Sequence, residues 1–173
     1  MQAILHTSKG DIQFDLFEDT APNTVANFVG LAEGSKPWRD PATGQPGAGP
    51  FYVDVPFHRV IDGFMIQTGD RLGKGTGGPG YDFDDEIVPT RTFSEPYLVA
   101  MANAGLRNGR GTNGSQFFIT VAPTPHLNTA HTIFGRVGDQ ASRQVVDAIA
   151  TTPVDRNDRP LEPVAIESVD ILR

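Results

Sequence analysis

Many short strand-like stretches recur along the chain and favour a mainly β architecture. In the first predicted hairpin, which covers residues 1–17, Ile12, Phe14 and Leu16 alternate with polar residues, the period of a strand with one buried face. Further strands are predicted near 57–61, 65–69, 97–101, 116–120, 132–137 and 163–172. Many short strands of this kind indicate an antiparallel sheet that closes on itself.

Two segments have helical spacing instead of alternation. The first has Asp19 or Thr20 as a candidate N-cap, Pro22 in its first turn and Gly34 as its terminator. Its predicted buried stripe is Val25, Phe28, Val29 and Ala32. The second covers about 141–150 and has Val145, Val146 and Ile149 on one face. Both helices are predicted to pack one stripe on the core.

These elements predict a mainly β fold: a closed eight-stranded antiparallel barrel capped by two α-helices, in a single domain over residues 1–173. Eight strands make a barrel just wide enough for side chains to fill. We therefore expect the interior to be core and any binding site to lie on an outer face. Residues 35–50, rich in glycine and proline, are interpreted as a surface loop.

Charge and composition narrow the possible partners. The formal net charge is -7 and cysteine is absent, which disfavours nucleic acid and anionic membranes as partners and excludes disulfides and thiolate sites. The first residues lack a basic stretch followed by an apolar run, and no segment has the length of a membrane span. We expect a monomeric cytoplasmic protein whose partners are proteins, peptides or small molecules.

The stretch 57–67 is the most informative for function, because it reads as a strand, a tight turn and a second strand. A two-residue turn would place Arg59 opposite Ile66, whereas a three-residue loop that includes Phe64 places it opposite Gln67. We favour the second register, because an amide oxygen satisfies a guanidinium and an isoleucine does not. An arginine, an amide and a methionine then share one exposed face.

Several blocks of sequence resemble the cyclophilin family of peptidyl-prolyl cis/trans isomerases. They are residues 52–68 with their Phe-His-Arg, spaced Phe-Met and Gln, residues 101–105, residues 112–119, and a weaker block at 127–135. The resemblance covers essentially the whole chain in the family's order. It implies an eight-stranded barrel with two helices and catalysis of X-Pro isomerisation, with no nucleophile, metal or cofactor.

The resemblance also implies a role for each matching residue. The catalytic set is Arg59, Gln67 and Asn103, with Arg59 as the catalytic arginine. In the substrate-binding set, the walls of the proline pocket are Phe64, Met65, Phe118 and Leu127, and His131 lies at its rim. Gln116, together with Gln67 and Asn103, holds the peptide backbone. The pocket for residues before proline is bordered by Thr76, Gly77 and Ala104. Of the two adjacent phenylalanines, Phe117 is interpreted as core because it must face away from Phe118.

The implied partners are proline-containing peptides and unfolded proteins, with cyclosporin as a further ligand. His126 stands where many family members have a tryptophan that hydrogen-bonds this drug, so the affinity for cyclosporin stays open. The segment 106–111 is longer than in compact members and lies beside the predicted site. A proline-peptide binding module with incidental turnover is the alternative function.

Other site motifs fail on context. His126 and His131 lack a third metal ligand nearby. The glycines at 73, 75 and 78 match a dinucleotide fingerprint, but Pro79-Gly80 follows where a helix should begin. The acidic run at 82–86 lacks calcium-loop spacing, and Ser115 lies in no nucleophile elbow. A lipocalin-like ligand barrel would need a hollow interior, which this many inward apolar positions disfavour.

Overall fold

The computed structural model describes all 173 residues and contains nine strands and two α-helices. The elements are β1 (Gln2–Thr7), β2 (Gly10–Leu16), α1 (Pro22–Glu33), β3 (Val55–Pro56), β4 (Arg59–Ile61), β5 (Met65–Thr68), β6 (Leu98–Met101), β7 (Phe117–Thr120), β8 (Ile133–Arg136), α2 (Gln140–Ala150) and β9 (Ala165–Leu172). A single 3₁₀ turn covers Pro125–Leu127. The predicted mainly β class with two helices is confirmed.

All nine strands belong to one antiparallel sheet with the order β3-β9-β1-β2-β8-β6-β7-β5-β4. Its two edge strands, β3 and β4, are separated by only residues 57–58. The sheet therefore curls until its edges meet through the chain itself, and no ladder joins β3 to β4. Eight strands were predicted; the ninth is β3, which pairs with β9 at Val55 and Pro56.

The bend between β3 and β4 has a hydrogen-bonding cause. Phe57 N–H donates to Val164 C=O at 2.8 Å, and Val60 N–H donates to Asp158 C=O at 2.7 Å. The chain at this point thus bonds to two segments near the C-terminus. The strand predicted over 57–61 is therefore shorter, Arg59–Ile61, because the Phe57 N–H is bonded to the C-terminal segment and not to β5.

Alternate residues of β5, β6 and β7 supply two apolar clusters on opposite faces of the sheet. The inner cluster of 27 buried residues includes Ile66, Val99, Phe117 and Ile119. The outer cluster has six buried residues: Met65, Phe93, Leu98, Ala100, Phe118 and Ile133. Phe117 and Phe118 face opposite sides, as predicted. The inside of the curled sheet is therefore filled by side chains, and the outer cluster lies on its other face.

Helix α1 begins one residue after Ala21, and its N-terminus is satisfied differently from the sequence prediction. Neither Asp19 nor Thr20 caps it, and Ala21 makes no side-chain cap. Instead, the Glu86 carboxylate accepts the Thr24 N–H at 2.7 Å and the Asn23 N–H at 3.2 Å. The predicted cap is wrong because a carboxylate from a distant loop occupies the position that an adjacent side chain would take.

The C-terminus of α1 agrees with the prediction. Gly34 has φ 79°, and its N–H reaches the carbonyls of Gly30 and Leu31. A left-handed residue at this position favours glycine because it lacks a Cβ. Helix α2 has its own local cap, since the Asp139 carboxylate accepts the Ser142 N–H at 2.8 Å.

We predict that Glu86→Ala destabilises the protein by about 1–2 kcal/mol, because it leaves two N–H groups of the first turn of α1 without their acceptor. Urea unfolding measures the change. The matched control is Asp19→Ala, since Asp19 makes only an exposed ion pair with Arg91 at 3.7 Å. Equal destabilisation by the two variants would contradict the assignment of Glu86 as the cap.

A histidine joins three strands on the sheet surface. His6 in β1 contacts Asp11 of β2 through Nδ1 at 2.8 Å and Asp170 of β9 through Nε2 at 2.8 Å. The hydrogen bond to Asp170, followed by the one to Asp11, raises the pKa of His6 above its ordinary 6.5. The protonated imidazole donates to both carboxylates, so protonation strengthens the link between these strands.

This cluster predicts a pH dependence of stability. Because the folded-state pKa of His6 is raised, its contribution is fully present below about pH 6.5 and is lost as pH rises through the folded-state pKa. Asp170→Asn should lower Tm by about 1–3 °C at pH 6 and by less at pH 9. Glu167→Gln, on the same strand, is the control and should show no such dependence. Equal Tm losses of Asp170→Asn at both pH values would refute the role of His6.

Candidate functional site

Strand register places the candidate catalytic residues in one row across β4, β5 and β7. Arg59 pairs with Gln67, and Gln67 pairs with Phe118. Directly paired residues project from the same face of a sheet. The predicted register of the hairpin, with Arg59 opposite Gln67 and Ile61 opposite Met65, is confirmed. Arg59 and Gln67 therefore stand on the outer face, next to the outer apolar cluster.

A line of side-chain amides runs from Arg59 to the glycine-rich loop at residues 73–80. Arg59 Nη1 donates to Gln67 Oε1 at 3.4 Å, Gln67 Nε2 donates to Gln116 Oε1 at 3.0 Å, and Gln116 Nε2 donates to the Gly77 C=O at 2.9 Å. A guanidinium only donates and a carbonyl only accepts, so both ends fix the direction of both amides.

The guanidinium of Arg59 keeps most of its donors free. Its bond to Gln67 is long for an N–H···O contact, the residue is exposed, and Arg59 takes part in no ion pair. An arginine whose backbone is fixed in a strand and whose guanidinium has no ion-pair partner can donate hydrogen bonds to a ligand at the sheet surface.

An apolar floor lies beside this arginine. Met65 and Phe118 are 1% and 4% exposed, and the half-buried Phe64 and Leu127 pack against their cluster. Phe93 stacks behind Phe118, with ring centroids 6.2 Å apart and an interplanar angle of 13°. The four predicted wall residues are thus brought together, and a small apolar ring placed on them would be in reach of Arg59.

His131 stands at the edge of the floor, with its ring 5.3 Å from that of Phe118 in an edge-to-face arrangement. Its Nδ1 lies 2.8 Å from the Met101 C=O. A carbonyl only accepts, so Nδ1 carries the proton in the neutral ring and Nε2 is left as an acceptor.

The side chain of Asn103, a residue expected to hold the peptide backbone, bonds to two loops of the protein. Its Nδ2 donates to the Ala130 C=O at 2.9 Å, and its Oδ1 accepts the Gly105 N–H at 3.0 Å. The side chain therefore ties together two loops. The main-chain N–H and C=O of Asn103 have no partner, which makes these backbone groups, and not the amide, the ones available to a bound peptide.

A polar pocket of about 580 Å³ lies on the far side of Gln67 and Gln116. The glycine-rich loop forms one wall, with Thr76 and Gly77, and the segment that contains Ala104 forms the other. All three residues predicted to border a second pocket line it. Gln67 and Gln116 stand between this pocket and the apolar floor.

Sequence reasoning missed Asp70, the residue that shapes the glycine-rich loop. Its carboxylate is fully buried and accepts the N–H groups of Leu72, Lys74 and Gly75 at 2.9, 3.0 and 2.7 Å. Burial alone would raise the pKa of Asp70, but backbone donors, that of Gly77 foremost, outweigh it and hold the pKa below its ordinary value. The available signal was an acidic residue directly before a glycine-rich loop, where successive N–H groups form an anion-binding turn.

His58 was also missed. It is 7% exposed, and neither ring nitrogen has a hydrogen-bond partner. Burial lowers the pKa of this histidine, so the neutral ring is favoured. His58 lies in the bend before β4 and beside the glycine-rich loop, since a Cβ on Gly75 would come within 3.5 Å of its Nε2.

No group of three or more histidine, aspartate or glutamate side chains lies close enough together to hold a metal ion. Neither helix has the length and apolar character needed to cross a membrane.

Comparison with known proteins decides the family. The profile described as "Cyclophilin type peptidyl-prolyl cis-trans isomerase/CLD" matches residues 3–171. This chain belongs to the cyclophilin-type peptidyl-prolyl cis-trans isomerase family.

Proteins named peptidyl-prolyl cis-trans isomerases are similar over nearly their full length. The probable peptidyl-prolyl cis-trans isomerase A of Mycobacterium leprae is 61% identical over 98% of this chain and 91% of its own length. Peptidyl-prolyl cis-trans isomerase B of Streptomyces anulatus is 57% identical over 98% and 95%. A crystal structure of a Cryptosporidium parvum cyclophilin-type isomerase, obtained in the presence of the dipeptide Ala-Pro, superposes with a TM-score of 0.85 at 31% identity and covers 100% of this chain and 99% of that one.

The glycine-rich loop of this cyclophilin generates a prediction. A Cβ on Gly77 would overlap the Asp70 carboxylate, whereas a Cβ on Gly78 meets no atom within 4 Å. Gly77→Ala should therefore destabilise the protein by about 1–3 kcal/mol, since the loop or the carboxylate must move. It should also shift the side-chain amide resonance of Gln116, which donates to the Gly77 carbonyl.

Gly78→Ala is the matched control and should leave both the urea midpoint and that resonance nearly unchanged. If the two variants are equally stable, Gly77 is not confined by Asp70.

Proposed function

We propose that this chain catalyses cis/trans isomerisation of peptide bonds that precede proline. The observation that carries the proposal is an unpaired guanidinium, that of Arg59, fixed beside an apolar floor on the outer face of the sheet. Family membership supports the reaction class, and the names of the similar proteins agree with it.

The reaction needs stabilisation of a twisted amide. The barrier of about 18–20 kcal/mol arises from amide resonance, and an X-Pro bond isomerises unaided in tens to hundreds of seconds. When the bond twists, the prolyl nitrogen becomes pyramidal and regains a lone pair. Arg59 donates a hydrogen bond to that nitrogen, which the planar amide cannot accept. The interaction is thus made mainly in the transition state, as catalysis requires.

The remaining residues hold the two sides of the rotating bond. Phe64, Met65, Phe118 and Leu127 take the proline ring, with His131 at the edge. The main-chain groups of Asn103 and the amides of Gln67 and Gln116 hold the flanking backbone. Thr76, Gly77 and Ala104 border the space for residues before the proline. A gripped ring and a held backbone confine rotation to one bond, and each contact lowers the entropic part of the barrier.

Within the same proposal, the substrates are proline-containing peptides and unfolded polypeptides, and the enzyme assists their folding in the cytoplasm as a monomer without a cofactor. The net charge of -7 argues against nucleic acid. Cyclosporin would compete for the apolar floor, where the ring of His126 lies 5.6 Å from that of Phe64. Its affinity depends on whether this histidine replaces the donor that a tryptophan supplies.

The test is isomerisation of the peptide Ala-Pro-Phe by the wild type and by Arg59→Ala. We expect kcat/KM to fall by about 10²–10³-fold, the usual effect of removing one transition-state donor. Arg59→Lys keeps the charge without the planar fork and should retain only part of the activity. Because an arginine side chain is always charged in proteins, the activity should vary little with pH near neutrality.

Binding of the same peptide, measured by calorimetry, separates this function from its alternative. Arg59→Ala should bind almost as well as the wild type, since the apolar floor is intact. A folded wild type that binds the peptide without accelerating isomerisation would indicate a proline-peptide binding module instead.

A further inference from the structure

A short hairpin next to the polar pocket presents two arginines without counter-ions. Residues Arg107 and Arg110 pair antiparallel through reciprocal backbone hydrogen bonds of 2.9 and 3.0 Å. Between them, Asn108 and Gly109 have φ values of 53° and 75°, which is the left-handed pair that a two-residue type I′ turn requires. The sequence thus builds a defined two-arginine ribbon within the segment 106–111.

The base of this ribbon is fixed to the wall of the pocket. The Gly111 N–H donates to Asp84 Oδ1 at 2.7 Å. Thr112 Oγ1 accepts the Ala104 N–H at 2.8 Å and donates to the Gly105 C=O at 2.6 Å. Because these bonds hold both ends of the ribbon, its arginines are presented from a supported platform.

The two arginines are directly opposed in the ribbon, and neither has a counter-ion. Directly opposed residues of an antiparallel pair have Cβ atoms about 4.5–5.5 Å apart on the same face, where like charges destabilise. Neither arginine makes an ion pair in a chain with 21 acidic and 14 basic residues. An anionic ligand would remove this repulsion.

Arg107 lines the polar pocket, together with one carboxylate, Asp82. The neighbouring carboxylates are engaged elsewhere, since Asp84 accepts the Gly111 N–H and Asp85 accepts Asn113 Nδ2 at 2.8 Å. Arg107 is thus the one guanidinium of the lining and Asp82 its one carboxylate, and Arg110, opposite Arg107 in the ribbon, adds a second positive charge beside Arg107.

The path of a bound peptide leads to this pocket. The prolyl nitrogen is the ring atom joined to the preceding residue, and under the proposed function it lies at Arg59. The chain before the proline then crosses Gln67 and Gln116, which stand at the border of the polar pocket. An extended peptide advances by about 3.3 Å per residue. The residue two positions before proline therefore lies far enough along the path for its side chain to enter that pocket.

We propose that the hairpin of Arg107 and Arg110 makes this enzyme selective for a Glu or Asp side chain two residues before the proline. Arg107 receives the carboxylate within the pocket as a bidentate partner, and Arg110 adds its charge from the opposite strand. This inference rests on the proposed function, because the peptide direction follows from Arg59.

The experiment compares kcat/KM for three peptides: Glu-Ala-Pro-Phe, Gln-Ala-Pro-Phe and Lys-Ala-Pro-Phe. We expect the order Glu, Gln, Lys, with Glu favoured over its neutral isostere by about three- to tenfold, as for one partly exposed charge-assisted pair. The ratio should fall in about 1 M NaCl, where the Debye length is only about 3 Å.

Arg107→Gln should bring the Glu-to-Gln ratio close to one, and Arg110→Gln should lower it in part. Lys9→Gln is the matched control: it removes one positive charge from the turn between β1 and β2, outside the pocket lining, and should keep the wild-type ratio.

Three results would overturn the inference. The first is an equal kcat/KM for the Glu and Gln peptides, and the second is a preference for the Lys peptide, which would make Asp82 the governing charge. The third is loss of the Glu-to-Gln ratio in Lys9→Gln. Isomerisation of the uncharged peptide Ala-Ala-Pro-Phe by the wild type distinguishes a failure of the selectivity from a failure of the proposed function. If the wild type does not isomerise that peptide, calorimetric binding of the Glu and Gln peptides still decides the selectivity.

Discussion

The filled inside of the curled sheet is the constraint from which the position of the site follows. Alternate residues of β5, β6 and β7 point inward, where Phe117 meets Phe28 edge-to-face at 5.5 Å and joins a cluster of 27 buried residues. Because the inside of the sheet is filled, it has no space for a ligand. The residues that alternate with the inward-facing ones form the outer face of the sheet. Phe118 and Met65 are therefore buried against a second, smaller cluster, and ligand contact is displaced to the outside of the sheet.

On that outer face, the candidate catalytic arginine depends on a loop distant from it in sequence. The amides of Gln67 and Gln116 connect Arg59 to the carbonyl of Gly77. The loop that carries Gly77 is in turn wrapped around the buried Asp70 carboxylate. A buried carboxylate with several backbone donors is fully satisfied and resists displacement. The same loop forms one wall of the polar pocket, so one anchor serves both parts of the site.

Features that depend on neighbours in sequence were predictable. Short strand-like stretches predicted eight of the nine strands, and the choice of amide over isoleucine as the partner of Arg59 gave the correct hairpin register. Gly34 was recognisable as a helix terminator because a left-handed backbone favours glycine. The assignment of Phe117 to the core and Phe118 to the opposite face also needed only alternation. The resemblance to cyclophilins then selected residues that pattern alone would have called core.

Features that depend on partners far along the chain were decided only by the tertiary structure. Glu86 replaces the local caps of α1, the Asn103 side chain holds the loop of Ala130, and Asp70 organises residues 72–77. The unpaired state of Arg107 and Arg110 is of the same kind, since the sequence places acidic residues nearby but does not say which backbone groups engage them. The sequence by itself determined periodicity, register and the residue types of the site. Folding decided which polar groups are consumed by structure and which remain free, because a hydrogen bond depends on distance in space and not on separation along the chain.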